Sequence, residues 1–129
     1  MPLDIGFLLA DGKLDCRLQL QDDGTYWFLH QWFERVCEAT GQYVDLYGGA
    51  KFHEANGLSA LMDAMTQAKT AAQAQPSEWQ VHTGTQLRPV RKELYDKVSR
   101  ADILKTIERF RALLQEAKLI DQPLVFQGD

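Results

Sequence analysis

The stretch Leu14-Asp15-Cys16-Arg17-Leu18-Gln19-Leu20 alternates apolar and polar residues without interruption. Such alternation is typical of a β-strand with one buried face. An apolar run, Leu3 to Ala10, precedes it, and Asp11-Gly12 lies between the two segments. An Asp-Gly pair favours a two-residue type I′ turn, which needs positive φ at both central positions. The sequence therefore predicts a β-hairpin over Leu3–Leu20. The side chains predicted to point into the core are those of Leu14, Cys16, Leu18 and Leu20.

Three stretches with apolar residues at helical spacing predict three helices. The first is predicted from about Tyr26 to Thr40, after residues that can cap a helix N-terminus. The second begins at Glu54 or Asn56 and ends before Pro76. The third follows Ser99-Arg100-Ala101-Asp102, which resembles a capping box with Asp in place of the usual Glu.

The remaining segments predict short strands at Tyr43–Tyr47, Glu78–Thr83 and Pro123–Phe126, with a turn at Gly84-Thr85. Arg88–Val98 suits a strand or a helix, because its apolar residues lie four apart. Pro89 and the preceding turn favour a strand paired with the one before it. The chain is therefore predicted to be a single α+β domain over residues 1–129. Its order is ββαβαββαβ, with three helices on a mixed or largely antiparallel sheet.

The beginning of the chain bears on its location. Met1-Pro2-Leu3-Asp4 lacks the basic region of a signal peptide, and the apolar run Ile5–Ala10 is far too short to span a bilayer. Two cysteines, Cys16 and Cys37, do not form a disulfide framework, and both are expected to be reduced. These features predict a cytoplasmic protein that does not bind membranes.

The charge of the chain is uneven. Residues 1–64 contain ten acidic and four basic residues, whereas residues 65–129 contain eight acidic and ten basic residues. An acidic half does not favour nucleic acid, since phosphate binding needs clustered Lys and Arg. It suits a basic protein partner, and it equally suits a surface whose acids keep the protein soluble.

Motifs for catalysis are missing from the sequence. His30, His53 and His82 are not paired at metal-ligand spacing, and Gly48-Gly49 lacks the Lys-Ser/Thr of a phosphate loop. The sequence therefore predicts no catalytic, metal or cofactor site.

Residues suited to partner binding cluster in the acidic half. The first helix is rich in aromatic residues, and Asp45 shares strand parity with Tyr47 at the end of the predicted strand. Such a face could bind a partner or could be an ordinary exposed surface. Asp22 and Asp23 also suit the positive end of a helix dipole. The candidate partner-binding residues are Asp22, Asp23, Trp27, Glu34, Glu38, Asp45 and Tyr47.

Five segments together resemble small bacterial immunity proteins paired with polymorphic or contact-delivered toxins. They are Tyr26-Trp27-Phe28, Asp45-Leu46-Tyr47-Gly48-Gly49-Ala50, Trp79-Gln80-Val81-His82-Thr83-Gly84, Lys92-Glu93-Leu94-Tyr95 and Val125-Phe126-Gln127-Gly128-Asp129. The resemblance implies a toxin inhibitor that acts by stoichiometric binding to a cognate toxin, and the acidic half of the chain predicts that this toxin is basic. An alternative is a small enzyme or ligand-binding domain with a pocket near Asp45, Tyr47 and His53. A third hypothesis is a homo-oligomer that uses the aromatic surface on a two-fold axis.

Overall fold

The computed structural model describes residues 2–128, without the side chains of residues 54–56. Asp129, the last residue of the resemblance, lies outside the described residues. The elements are β1 (Leu3–Leu8), β2 (Leu14–Leu20), α1 (Asp23–Thr40), β3 (Gly49–Phe52), α2 (Glu54–Gln73), β4 (Glu78–Gln86), β5 (Lys92–Ser99), α3 (Arg100–Ile120) and β6 (Leu124–Gln127). The predicted order ββαβαββαβ and the α+β class are confirmed. The helix ends also follow their local signals. Gly41 closes α1 with a φ of 77°, and the Ser99 hydroxyl accepts from the Asp102 N–H at the start of α3.

The strands form two sheets. One has four strands in the order β2-β1-β6-β3, and the other contains β4 and β5. Each strand pair that the structure describes is antiparallel. The prediction of a largely antiparallel arrangement is therefore confirmed. The strands form two sheets, however, and not the single sheet that was predicted.

The register prediction for the first hairpin is wrong at Cys16. Ile5 pairs with Leu18, whereas Gly6 pairs with Cys16, so Arg17 is an extra residue that forms a bulge. The bulge interrupts the alternation of side chains, which leaves Leu18 buried and turns Cys16 to the exposed side. A Cβ atom on Gly6 would overlap the carbonyl of Asp15, so only glycine lets the two strands approach here. Leu20 is buried as predicted, and Leu14 is half-buried.

The turn of this hairpin also differs from the prediction. The Leu9 N–H donates to the Lys13 carbonyl at 2.8 Å, and the Gly12 N–H donates to the Leu9 carbonyl at 2.9 Å. Gly12 has a φ of 84°, and Asp11 does not have a positive φ. This is a three-residue loop closed by a left-handed glycine, not a two-residue type I′ turn.

Two further predictions of local structure are wrong. Tyr43–Tyr47 is a loop, and the third strand is instead Gly49–Phe52. The Asp45 carboxylate accepts a hydrogen bond from the Tyr47 N–H at 3.0 Å. This contact bends the backbone locally, so the segment does not pair as a β-strand. Gly84-Thr85 is not a turn, because a register shift between His82 and Gly84 lets β4 continue to Gln86. The prediction that Arg88–Val98 is a strand paired with its predecessor is confirmed from Lys92 onward.

The core lies between the inward face of the four-stranded sheet and the helices. Phe33 of α1, Phe110 of α3 and Phe126 of β6 are all fully buried. The Phe110 ring centroid lies 6.3 Å from that of Phe33 and 5.9 Å from that of Phe126. Helix and sheet are thus joined by aromatic contacts. Within residues 2–128, no helix combines the length and apolar character needed to cross a bilayer.

Candidate functional site

Five residues of α1 recur every three or four positions, so they share one face of the helix. They are Asp23, Trp27, His30, Glu34 and Glu38. The buried residues Leu29, Trp32 and Val36 lie on the opposite side and pack into the core. Glu34 and Glu38 are exposed, whereas Asp23 and Trp27 are half-buried. Of the acidic residues predicted to bind a partner, Asp23, Glu34 and Glu38 therefore lie on one side of α1.

The loop of residues 42–48 lies beside this stripe. The Tyr26 hydroxyl donates to the Val44 carbonyl at 2.7 Å. The Tyr43 hydroxyl lies 2.7 Å from His30 Nε2, and His30 Nδ1 lies 3.3 Å from Glu34 Oε1. His30 therefore connects the carboxylate stripe of the helix to the loop. Sequence reasoning identified no role for His30, because the contact depends on how the loop folds back.

Tyr26 anchors the loop from inside the molecule. Its side chain is almost fully buried, and its hydroxyl also lies 3.3 Å from that of Tyr43. Burial, followed by the hydrogen bond with Tyr43, raises the pKa of Tyr26 well above its ordinary value. The hydroxyl thus stays protonated and keeps donating to Val44 throughout the physiological pH range.

Asp45 and Tyr47 occupy the far end of the loop. The Asp45 carboxylate is half-buried and is occupied by the Tyr47 N–H, whereas the Tyr47 side chain is 61% exposed. The Gly128 N–H donates to the Gly48 carbonyl at 2.7 Å. The loop is therefore tied to the helix at one end and to the segment after β6 at the other, while Tyr47 projects outward.

Trp27 is held in place by its neighbours. Its ring lies edge-on to Tyr26 at a centroid distance of 5.1 Å and 4.8 Å from the ring of His30. A half-buried ring held in this way can contact a partner without losing much side-chain entropy. We define the acidic face as Asp23, Trp27, Glu34 and Glu38 of α1, together with Asp45 and Tyr47 of the loop.

Asp22 is not part of the acidic face. It is the N-cap residue of α1 and lines a separate cavity with residues of β2. Its side chain makes no capping hydrogen bond. Instead, Asp96 of β5 accepts from the Gly24 N–H at 3.1 Å. The strand comes this close because Gly24 has no side chain: a Cβ atom there would lie 2.6 Å from Val98 Cγ1. The sequence around Asp22 and Asp23 does not reveal that a residue of a distant strand caps α1.

The alternative hypothesis predicts a pocket near Asp45, Tyr47 and His53. His53 lines a cavity of about 290 Å³ with residues of α1, β3 and α2, and neither Asp45 nor Tyr47 lines it. His53 Nε2 lies 3.4 Å from Asp121 Oδ1 at the end of α3. Among the described residues, no three His, Cys, Asp or Glu side chains are grouped so that they could hold a metal ion. The cavity that His53 lines therefore lacks the other two residues of the predicted trio.

Comparisons of the chain with protein-family models, with curated proteins and with solved structures find no match.

Proposed function

We propose that this protein is an immunity protein, which neutralises a cognate bacterial toxin by stoichiometric binding. The observation that carries the proposal is the acidic face, where three carboxylates and Trp27 share one side of α1 and the exposed Tyr47 lies on the adjoining loop. Such a surface suits a basic partner, in keeping with the resemblance of the sequence to immunity proteins. The toxin meets its inhibitor in the cytoplasm, where the thiols of Cys16 and Cys37, both free, stay reduced.

The size and chemistry of the acidic face match those of a specific interface. An 18-residue helix is about 27 Å long, which is enough to support a standard interface of about 800 Å² per partner. Tyrosine and tryptophan are common anchors, since they bury much area for few rotatable bonds. The carboxylates of Glu34 and Glu38 are exposed and serve mainly to speed encounter with a basic partner.

The test uses the protein encoded beside this chain's gene as the candidate toxin. Coexpression of the two should restore growth, and the purified proteins should form a complex of fixed stoichiometry. In binding kinetics, Glu34→Lys or Glu38→Lys should slow association and flatten its salt dependence. Tyr47→Ala or Trp27→Ala should instead speed dissociation, with a loss of about 2 kcal/mol or more for an anchor.

Asp63→Lys is the matched control, because Asp63 is an exposed acid on α2. It should bind like wild type. If the folded acidic-face variants all bind like wild type, the acidic face is not the binding surface. If the neighbouring protein neither inhibits growth nor binds, the proposed function itself is wrong. Light scattering without the toxin tests the homo-oligomer hypothesis, in which the same face would be covered by a second copy.

A further inference from the structure

The four-stranded sheet ends at β2, and a groove runs along this open edge. A cavity of about 440 Å³ is lined by the seven consecutive residues Cys16 to Asp22, of which Cys16 to Leu20 belong to β2. Successive side chains of a strand point to opposite faces. A cavity that touches every residue from Cys16 to Leu20 therefore follows the edge of the strand and not one of its faces. Five residues of strand are about 17 Å long, the length of a short extended peptide.

Helices form the other wall of the groove. Thr25 of α1 and Thr106 and Arg109 of α3 line the same cavity. An adjoining cavity of about 270 Å³ is lined by Arg17, Arg109, Ala112, Leu113 and Glu116. The two cavities share both arginines, so the groove continues along α3. We define the edge groove as Cys16–Asp22 with Thr25, Thr106, Arg109, Ala112, Leu113 and Glu116.

The two arginines differ in whether their guanidinium groups have ion-pair partners. Arg17 is held by Asp15 at 2.8 Å and by Glu116 at 2.9 Å. Arg109 is exposed and, in the described part of the chain, makes no side-chain hydrogen bond or ion pair. Its guanidinium therefore offers a free site for a carboxylate next to the main chain of an edge strand.

We propose that an extended segment of a partner protein adds to β2 as a fifth strand, with one of its carboxylates bound by Arg109. Unpaired N–H and C=O groups of an edge strand are a template for such pairing. The bulge at Arg17 interrupts the regular strand, so the regular part of the added pairing is limited to Leu18–Leu20. The lining is mainly polar, which suits recognition of a peptide backbone more than that of an apolar ligand. This proposal does not depend on the acidic face or on the toxin.

The experiment selects binders from a displayed library of random dodecapeptides, with the full chain as bait. Selected peptides should contain Asp or Glu and should protect the amides of residues 16–21 from hydrogen exchange. Arg109→Glu should weaken their binding about tenfold or more, as expected for the loss of a charge-assisted hydrogen bond. The control Arg88→Glu makes the same change at an exposed position beyond the end of β4 and should bind like wild type.

Other outcomes would overturn the proposal. Selected peptides that leave β2 unprotected, or that bind Arg109→Glu as tightly as wild type, place recognition elsewhere. An empty selection excludes a peptide site. Inorganic phosphate that binds in an Arg109-dependent way, while no peptide protects β2, identifies a small-anion site. A dimer whose β2 amides are protected without peptide shows that a second copy occupies the edge. Circular dichroism of each variant checks that a loss of binding does not reflect unfolding.

Discussion

Side chains alternate between two faces in both the four-stranded sheet and the β4–β5 hairpin, but the two regions differ in how far one face is buried. In the four-stranded sheet the inward residues Leu3, Ile5 and Phe126 have no exposed surface. In residues 78–99, all of which the structure describes, only Val98 is buried. Near the tip of the hairpin, Leu87 and Val90 are at least 70% exposed. A period of two therefore identifies a strand but does not tell whether a core lies beneath it.

The hairpin depends on a few contacts near its base. Trp79 packs edge-on against Phe28 at a centroid distance of 5.4 Å, and Val98 and Asp96 meet α1 at Gly24. A two-stranded sheet is marginally stable by itself. We therefore expect the hairpin to open locally at a lower free energy than the rest of the fold.

Phe110→Ala should have the largest effect, because the buried ring touches both α1 and β6. We expect a loss of about 3–5 kcal/mol in the free energy of unfolding, measured by urea denaturation. The matched variant in the hairpin is Leu94→Ala, whose side chain is 38% exposed. It should cost well under half as much. Equal losses would mean that the hairpin is as integral to the core as the large sheet.

Gly24→Val should disrupt the contact between α1 and the β4–β5 hairpin. The added side chain overlaps Val98 and crowds Asp96, and overpacking of this kind costs about 1–3 kcal/mol. Amide hydrogen exchange in β4 and β5 should speed up more than exchange in β1 and β6. Uniform acceleration across both sheets would contradict the idea that the hairpin opens separately.

Tyr26→Phe tests the stability of the region that contains α1 and the four-stranded sheet. It removes the hydrogen bond to the Val44 carbonyl, which should cost about 1 kcal/mol. The pKa of Tyr26 is raised in the folded state, so its contribution is complete below the ordinary tyrosine pKa and is lost as the pH rises above it. Stability measured from pH 7 to 11 should therefore fall less steeply in the variant. An unchanged slope would show that another group governs alkaline unfolding.

The smallest effect is expected at Glu93 on the hairpin. Hydrogen bonds from Thr85 and then His82 hold the pKa of the Glu93 carboxyl below its usual value. Because the folded-state pKa is lowered, the stabilisation is present above the ordinary glutamate pKa and is lost as the pH falls through the folded-state pKa. Acidification should shift the amide NMR signals of Thr85 and its neighbours, and Glu93→Gln should abolish this shift.

Glu108 is the matched carboxylate on α3. A hydrogen bond from Lys69 lowers the pKa of Glu108, opposed by partial desolvation and supported by Arg111. Its titration should appear in the signals of α2 and α3, and Glu108→Gln should leave the hairpin signals unchanged. If Glu93→Gln altered the helix signals instead, the two regions would be more strongly coupled than the few contacts at Gly24 and Trp79 imply.

Local signals in the sequence predicted much of the fold. The end of the first helix at Thr40, the cap at Ser99 and the first hairpin depend on neighbouring residues, and all three lie where the sequence placed them, although the turn and the register of the hairpin differ. The bulge at Arg17 was missed because it depends on the approach of two main chains at Gly6. The cap of α1 by Asp96 joins residues 72 positions apart, which no local pattern reveals.

The candidate site shows the same division. Helical spacing places Trp27, Glu34 and Glu38 on one face of the predicted helix, whereas Asp23 joins them because α1 begins three residues earlier than predicted. Asp22 precedes the helix, and its direction is set by the chain entering from β2. The position of Tyr47 depends on an Asx turn at Asp45, whereas the sequence predicted a strand there. Side chains on regular elements were thus easier to place than those on the loop.

The bulge in β2 also has a consequence for chemical labelling. By turning Cys16 outward it leaves an exposed thiol in the edge groove, while Cys37 is half-buried on α1. Partial desolvation, and then the negative charge of Asp4, raise the pKa of the Cys16 thiol, so less of the reactive thiolate is present at neutral pH. A maleimide fluorophore should therefore attach to Cys16 more readily at mildly alkaline pH. Once attached, it lies at one end of the edge groove, beside the residues to which an added strand would pair, so its emission can report whether the edge of the sheet is open or filled.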